Sequence, residues 1–207
     1  MNNSIDITLI QKGVKFLEDD SVLGSYIQKL SMPNYKLDRD YFKSLCKYII
    51  FQQLSVKSAS RTFARFKKLL QDVKPTILLN TNDDDLKNTG LSFRKVNYLK
   101  ELSQSFIKND NYKNLVNKSD QEIVKSLTKI KGIGSWTAEM FLIFTLGRID
   151  VFSTKDIGLL NGLKLVYNLN NRPTFENAEL LSKRWSPYRT IASLYLWKII
   201  EGEDFDW

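Results

Sequence analysis

The stretch Lys131–Gly132–Ile133–Gly134 separates two segments with helical apolar spacing. One carries Ile123, Leu127 and Ile130; the other carries Trp136, Met140, Ile143 and Phe144. Glycine can take positive φ and lets a ligand approach the backbone closely. A turn of this kind leaves backbone N–H groups free at the start of the following helix, where an anion such as a phosphate can sit. That contact holds a phosphate backbone in place without reading sequence. Ser135 stands where it can cap the second helix. On turn chemistry alone, the same glycines equally describe a tight connection between two helices.

Few other chemistries are open to the chain. It has one cysteine, Cys46, and no histidine. A single thiol cannot form an internal disulfide or supply the roughly four ligands of an iron–sulfur cluster. Zinc catalysis normally draws on several His or Cys ligands, so no metal site is expected. Ser-His-Asp and Cys-His nucleophiles are excluded. Any general base must be Asp, Glu, Lys, Tyr or water. The net charge of +8 and pI near 9.4 suit a polyanionic partner, although a lysine-rich composition gives the same balance without one.

The elements that must position these residues read as helices throughout. Hydrophobic residues make up 43% of 207, enough for a sizeable core without disulfides or metal. Ile7, Ile10, Val14 and Leu17 fit a first helix, and Ser21 can cap a second carrying Val22, Tyr26, Ile27 and Leu30. Phe42, Leu45, Cys46, Ile49 and Ile50 line another, followed by a polar break at Gln52 and Gln53. Val56, Ala59, Phe63, Phe66 and Leu70 form an amphipathic face that ends before Pro75. A polar stretch through Asp83, Asp84 and Asp85 leads to Gly90. Ser92 then caps a helix with Val96, Leu99, Leu102 and Phe106. Ser119 and Glu122 have capping-box spacing. Ile157, Leu160 and Leu163 point inward from a helix after the Asp150–Thr154 loop, Thr174 caps another, and Ser186–Pro187 opens the last, with Ile191, Leu194 and Trp197 inward. The sum is an all-α protein of about ten helices. No apolar run approaches the roughly 20 residues needed to span a membrane, and the first residues do not read as a secretory leader. One cysteine in a chain of this kind fits a reducing, intracellular compartment.

Four segments carry a family resemblance. Ile50-Phe51-Gln52-Gln53-Leu54-Ser55-Val56 with Ala59 is the first, and Gly90-Leu91-Ser92-Phe93-Arg94-Lys95 with Tyr98-Leu99 the second. The hairpin of glycines with Asp156 about twenty residues beyond is the third. Arg184-Trp185-Ser186-Pro187-Tyr188-Arg189 with Ala192 and Trp197 is the fourth. Spanning about residues 50 to 200, they resemble the helix-hairpin-helix (HhH-GPD) DNA glycosylase superfamily, and within it the AlkA-like 3-methyladenine DNA glycosylase II branch. Two departures stand out. Bacterial members often carry a β-rich N-terminal domain, for which the N-terminal part here is too short and too helical. Lys155 sits beside the aspartate where many members have an acid or another residue.

The resemblance implies a two-lobed helical bundle with an active-site cleft between the lobes. Residues 1–207 would form one glycosylase unit. Its central lobe would run over 40–150, with the hairpin at 127–147, and 1–39 plus 151–207 would form the second lobe. It also implies a monofunctional glycosylase of base excision repair, acting as a monomer on double-stranded DNA that carries alkylated bases. Asp156 would be the catalytic carboxylate, against the plainer reading of a helix cap. Asp150 would be structural. Trp136, Trp197 and Tyr188 would wall the base pocket, with Trp185 in the core. Gln53, or else Leu54, would wedge into the gap left by a flipped nucleotide, unless the glutamines merely cap neighbouring helices. Lys131, Gly132, Ile133, Gly134, Ser135, Thr137 and Lys155 would meet the DNA backbone. Bifunctional relatives carry a lysine nucleophile where this chain has Trp136, so no lyase activity is implied. The resemblance leaves room for a monovalent cation at the hairpin but for no other cofactor. The expected location is the cytoplasm or nucleoid of a prokaryote, or the nucleus of a eukaryote. The alternatives are a glycosylase for another lesion or a mismatch, a non-catalytic hairpin DNA-binding module, and a basic helical interaction protein unrelated to DNA.

Overall fold

A computed structural model describes residues 7–109, 112 and 114–203. Twelve α-helices follow one another among the described residues: α1 (Ile7–Glu18), α2 (Gly24–Ile27), α3 (Tyr41–Phe51), α4 (Val56–Leu70), α5 (Pro75–Asn80), α6 (Asp83–Asn88), α7 (Phe93–Lys108), α8 (Asp120–Leu127), α9 (Ser135–Phe141), α10 (Ile157–Val166), α11 (Phe175–Ser182) and α12 (Arg189–Glu201). A π-helical segment, Leu142–Leu146, continues α9, and a 3₁₀ turn, Lys183–Trp185, follows α11. No β-strand occurs among the described residues, and no helix there is long and apolar enough to cross a membrane.

The chain divides into two compact units, one of residues 38–141 and one of 1–37 with 142–207. The boundary expected near residue 150 falls earlier, at Leu142. Residues 142–150 are tied to the discontinuous unit: the Tyr35 hydroxyl donates to the Ile143 carbonyl at 2.7 Å, and Thr190 donates to the Arg148 and Ile149 carbonyls.

In the 38–141 unit, α3 packs against α4, α7 and α9, α5 against α7, and α8 against α9. The expected faces are buried: Leu45, Ile49 and Ile50 of α3, Phe66 of α4, and Leu99 and Leu102 of α7. Local chemistry sets the helix starts. Asp40, Ser55, Ser92 and Ser119 each accept a bond from a backbone N–H of the first turn, and Ser119 with Glu122 completes the capping box. The polar stretch leading through Asp83 to Gly90, to which no helix was assigned from sequence, holds α5 and α6. Pro75 starts α5, and the three aspartates lie in the first turn of α6, where the helix dipole favours acids. Leu78 and Leu86 anchor the two short helices in the core.

In the other unit, α12 packs against α1 and α10. Three expectations change here. Ser21 does not cap α2; Asp20 Oδ1 takes the Val22 and Leu23 amides instead, while Asp20 Oδ2 accepts the Trp185 indole N–H. Ile157 points outward, 60% exposed, because Leu159 fills the inner position. The last helix starts at Arg189, after a cis Ser186–Pro187 bond, since the Ser186 hydroxyl is spent on Asp150 rather than on a cap.

Candidate active site

Asp156 ends the loop that brings the chain into α10, and it is that helix's N-cap. Its Oδ1 accepts the Leu159 amide at 2.9 Å and the Trp197 indole N–H at 3.1 Å. The residue is 6% exposed. A carboxylate this deep would be costly without donors, and two are supplied, one by its own helix and one by α12. Gly158 lets the arrangement close. A Cβ there would stand 3.0 Å from Asp156 Oδ1 and 3.1 Å from the Trp197 ring. The capping reading of Asp156 is therefore correct as geometry, and it is compatible with a chemical role.

Trp197, expected as a wall for a base, is 2% exposed. Its ring lies 5.7 Å from that of Phe144, and its N–H is the donor to Asp156. Little of the ring is exposed, and its one N–H is engaged with the carboxylate. Tyr188 rests on Phe16 and Gly13 of α1, half-buried. Trp136 is half-buried and Lys155 exposed. Trp185 is fully buried, as expected of core.

Asp150, the neighbouring acid, is structurally engaged. Arg189 donates to both its carboxylate oxygens, at 2.8 and 3.1 Å, and Ser186 Oγ donates at 2.8 Å. Burial pushes the Asp150 carboxyl up, but the hydrogen bonds from Arg189 and Ser186 outweigh that and hold it below the usual carboxylate range. This ties the loop to the start of α12.

The 38–141 unit carries the glycine hairpin. Gly132 has φ +95, and a Cβ on it would stand 2.2 Å from the Tyr98 ring. Gly134 has neither constraint: its φ is not positive, and the space where a Cβ would point is open. The Ile133 amide, expected as a phosphate donor, is spent on the Ile130 carbonyl at 3.0 Å. Thr137, expected likewise at the DNA backbone, is 1% exposed, and its hydroxyl accepts from Gln52. The remaining donors are at the helix start. The Gly134 and Ser135 amides make no hydrogen bond among the described residues, and Ser135 Oγ is buried without a partner. Ser135 is the first residue of α9 rather than its cap; the Gly134 carbonyl takes the Ala138 amide. Lys131 is exposed beside them.

The break after α3 is a tight loop. Gln53 is exposed with φ +56, and Leu54 is 42% exposed. Gln52 turns inward and donates to the Gly132 carbonyl at 2.8 Å and to Thr137 Oγ1 at 2.9 Å. Sequence reasoning assigned no role to Lys95, Tyr98 or Gly158. Arg94 and Lys95 offered a signal, since cations in the first turn of a helix oppose its dipole.

Comparison with known proteins follows the same segments. The model of the HhH-GPD superfamily of base excision DNA repair proteins matches residues 46–187. The Bacillus subtilis protein YfjP is 34% identical over 174 residues, 80% of this chain and 61% of that protein, so the chain spans less than two thirds of YfjP. DNA-3-methyladenine glycosylase 1 of Schizosaccharomyces pombe is 31% identical over 84% of this chain and 78% of its own length. The solved structure of the S. pombe 3-methyladenine DNA glycosylase Mag1 in complex with abasic DNA superposes with a TM-score of 0.85 at 28% identity, covering 95% of this chain and all of that one.

Proposed function

Because the chain belongs to the HhH-GPD superfamily of base excision DNA repair proteins, we propose that it is a monofunctional DNA glycosylase. Its substrate is double-stranded DNA carrying alkylated purines such as 3-methyladenine, and its product is an abasic site. The activity named for the S. pombe relative supports the substrate class. The observation that carries the reading is Asp156, a nearly buried carboxylate held by two N–H donors at the position the resemblance marks.

Cleavage of an N-glycosidic bond leaves positive charge on the sugar as the base departs with the bonding electrons. Asp156 stabilises that charge electrostatically and takes the proton of the water that adds to the sugar carbon. An alkylated purine already carries positive charge, so it leaves as a neutral molecule without a strong general acid. The absence of histidine is no obstacle. Trp136 offers a cationic base about 0.5–2 kcal/mol of cation–π attraction. It also fills the place of the lysine that would form a Schiff base, which is why the reading excludes strand cleavage. Extruding the nucleotide costs a few kcal/mol, and Gln53, with Leu54 beside it, fills the gap. The Gly134 and Ser135 amides with Lys131 grip the strand, and Lys155 meets a phosphate. The turn carbonyls of Ile130 and Gly132 each accept one hydrogen bond and keep a second lone pair, which leaves room for a monovalent cation at the hairpin. A single thiol leaves no iron–sulfur cluster in the scheme. The protein acts inside the cell, as a monomer.

Trp197→Phe keeps the ring and removes the donor to Asp156. It is expected to slow base release by roughly 10-fold, the value of one hydrogen bond to a charged group, with DNA affinity unchanged. Single-turnover release and fluorescence anisotropy measure the two separately. The reading as a whole is tested on a panel of lesions. Release of 3-methyladenine or 7-methylguanine from methylated duplex DNA, followed by chromatography, is the expected result. Release from mismatched or oxidised sites only would overturn the lesion assignment. No release from any substrate, with DNA binding intact, would leave a non-catalytic binding module.

A further inference from the structure

Helix α3 ends at Phe51, so its last carbonyls need partners from outside the helix. A glycine in the left-handed region commonly supplies the stop. Here the left-handed residue is Gln53, at φ +56, a conformation that costs a non-glycine residue on the order of 1 kcal/mol and persists only where the surroundings enforce it. The enforcement comes from α7. Lys95 Nζ donates to the Ile50 carbonyl at 2.7 Å and to the Gln52 carbonyl at 2.8 Å. Lys95 lies in the first turn of α7, with Arg94 beside it and no acid in that turn. That is the wrong end of a helix for cations, and a residue that opposes local preference needs a tertiary reason. Burial, with Arg94 adjacent, holds the Lys95 ammonium below the usual lysine range, so the site is also electrostatically unfavourable for it.

The same helix reaches the hairpin. One turn beyond Lys95, the Tyr98 ring occupies the space a Cβ on Gly132 would need. Gln52 closes the circuit, because both hydrogens of its Nε2 are committed, one to the Gly132 carbonyl and one to Thr137 Oγ1. We infer that Lys95 and Gln52 are positioning residues that lock the Gln53 wedge loop to the glycine hairpin, so that the side chain entering the duplex and the amides gripping the strand are set by one hydrogen-bonded network. The inference rests on the glycosylase reading and deepens it: Gln52 is the strut and Gln53 the wedge.

A purely structural tie would move stability alone, whereas a positioning tie must move wedge insertion. The probe is a duplex with a tetrahydrofuran abasic analogue flanked by 2-aminopurine, whose fluorescence rises when the neighbouring stack is opened. The unaltered protein is expected to bind and to raise the signal. Lys95→Met keeps the aliphatic stem and Gln52→Glu keeps the shape, turning a donor into an acceptor facing the Gly132 carbonyl. Both are expected to keep their thermal stability and to bind within about tenfold of the unaltered protein, since the phosphate contacts are loosened rather than removed, but to lose most of the fluorescence rise. Base release from paired methylated DNA should fall on the order of 100-fold in kcat with little change in KM. Lys95→Arg, which can still donate to two carbonyls, should restore part of the signal. Full fluorescence and full rate in both Lys95→Met and Gln52→Glu would overturn the proposal. So would a loss of affinity, signal and thermal stability together, which marks a folding role only. Failure of the unaltered protein to bind the abasic duplex would instead overturn the glycosylase reading, and the proposal with it.

Discussion

Asp156→Asn is expected to lower base release from alkylated DNA by about 100- to 1,000-fold, the usual loss when a group aimed at developing charge is removed. DNA affinity and fold should survive. The geometry makes this substitution unusually clean. Asp156 has a structural task as the cap of α10 and a proposed chemical one, and asparagine keeps the first while losing the second. Its amide oxygen can accept both the Leu159 amide and the Trp197 indole, as Asp156 Oδ1 does. Asparagine and aspartate are about equal as N-caps. What disappears is the negative charge beside the sugar and the acceptor for the water proton. Single-turnover release on methylated duplex DNA, with a thermal melt on the same preparation, reads the two tasks separately. A rate within tenfold of the unaltered protein would mean that the carboxylate is a cap and nothing more.

Alanine at the same position separates the tasks from the other side. It forfeits the cap, worth about 1 kcal/mol, and strands the buried Trp197 N–H, worth about 1–3 kcal/mol more. Asparagine and alanine variants should therefore be equally inactive and differ in melting temperature. Gly158 fits the same logic, since a Cβ there would crowd both Asp156 Oδ1 and the Trp197 ring.

Much of this was legible in local sequence, and the pattern of what was not is physical. Ser92, Ser119 with Glu122, and Thr174 announce their helices because capping is a contact within one turn. The buried faces of α3 and α4 follow because 3.6-residue spacing survives in any all-α core. The short helices α5 and α6 were hidden because each buries only one leucine, Leu78 or Leu86, which is too few for a period to show. The π-helical segment Leu142–Leu146 has no sequence signature, and Tyr35, far away in the chain, donates to its Ile143 carbonyl. Ser186–Pro187 reads as the start of the last helix, which begins instead at Arg189, and the Ser186 hydroxyl donates to Asp150. At the site, Asp156 and the glycines carry motif spacing. The Trp197 donor, the inward turn of Gln52 and the reach of Lys95 are long-range contacts between side chains and distant partners, which spacing does not encode.

The two hairpin glycines should respond oppositely to the same methyl group. Gly132→Ala puts a Cβ 2.2 Å from the Tyr98 ring at φ +95, so either the ring or the turn must move. Backbone strain and overpacking together should cost about 3 kcal/mol, or roughly 6–12 °C in melting temperature for a chain of this size. Gly134→Ala meets nothing within 4 Å and needs no positive φ, so stability should change by less than about 1 kcal/mol. Its methyl group instead enters the open space at the start of α9, beside the Gly134 and Ser135 amides proposed to hold a phosphate. Affinity for duplex DNA should fall by about tenfold, the loss of one charge-assisted hydrogen bond. Binding of the unaltered protein should weaken steeply with salt, and Lys131→Gln should reduce the slope of log K against log salt by about 0.9, one phosphate contact. Thermal melts and anisotropy titrations across salt concentrations measure both sides. If Gly134→Ala binds DNA as tightly as the unaltered protein and the salt profile is flat, the open face above Gly134 is only a surface turn, and the strand must be held elsewhere.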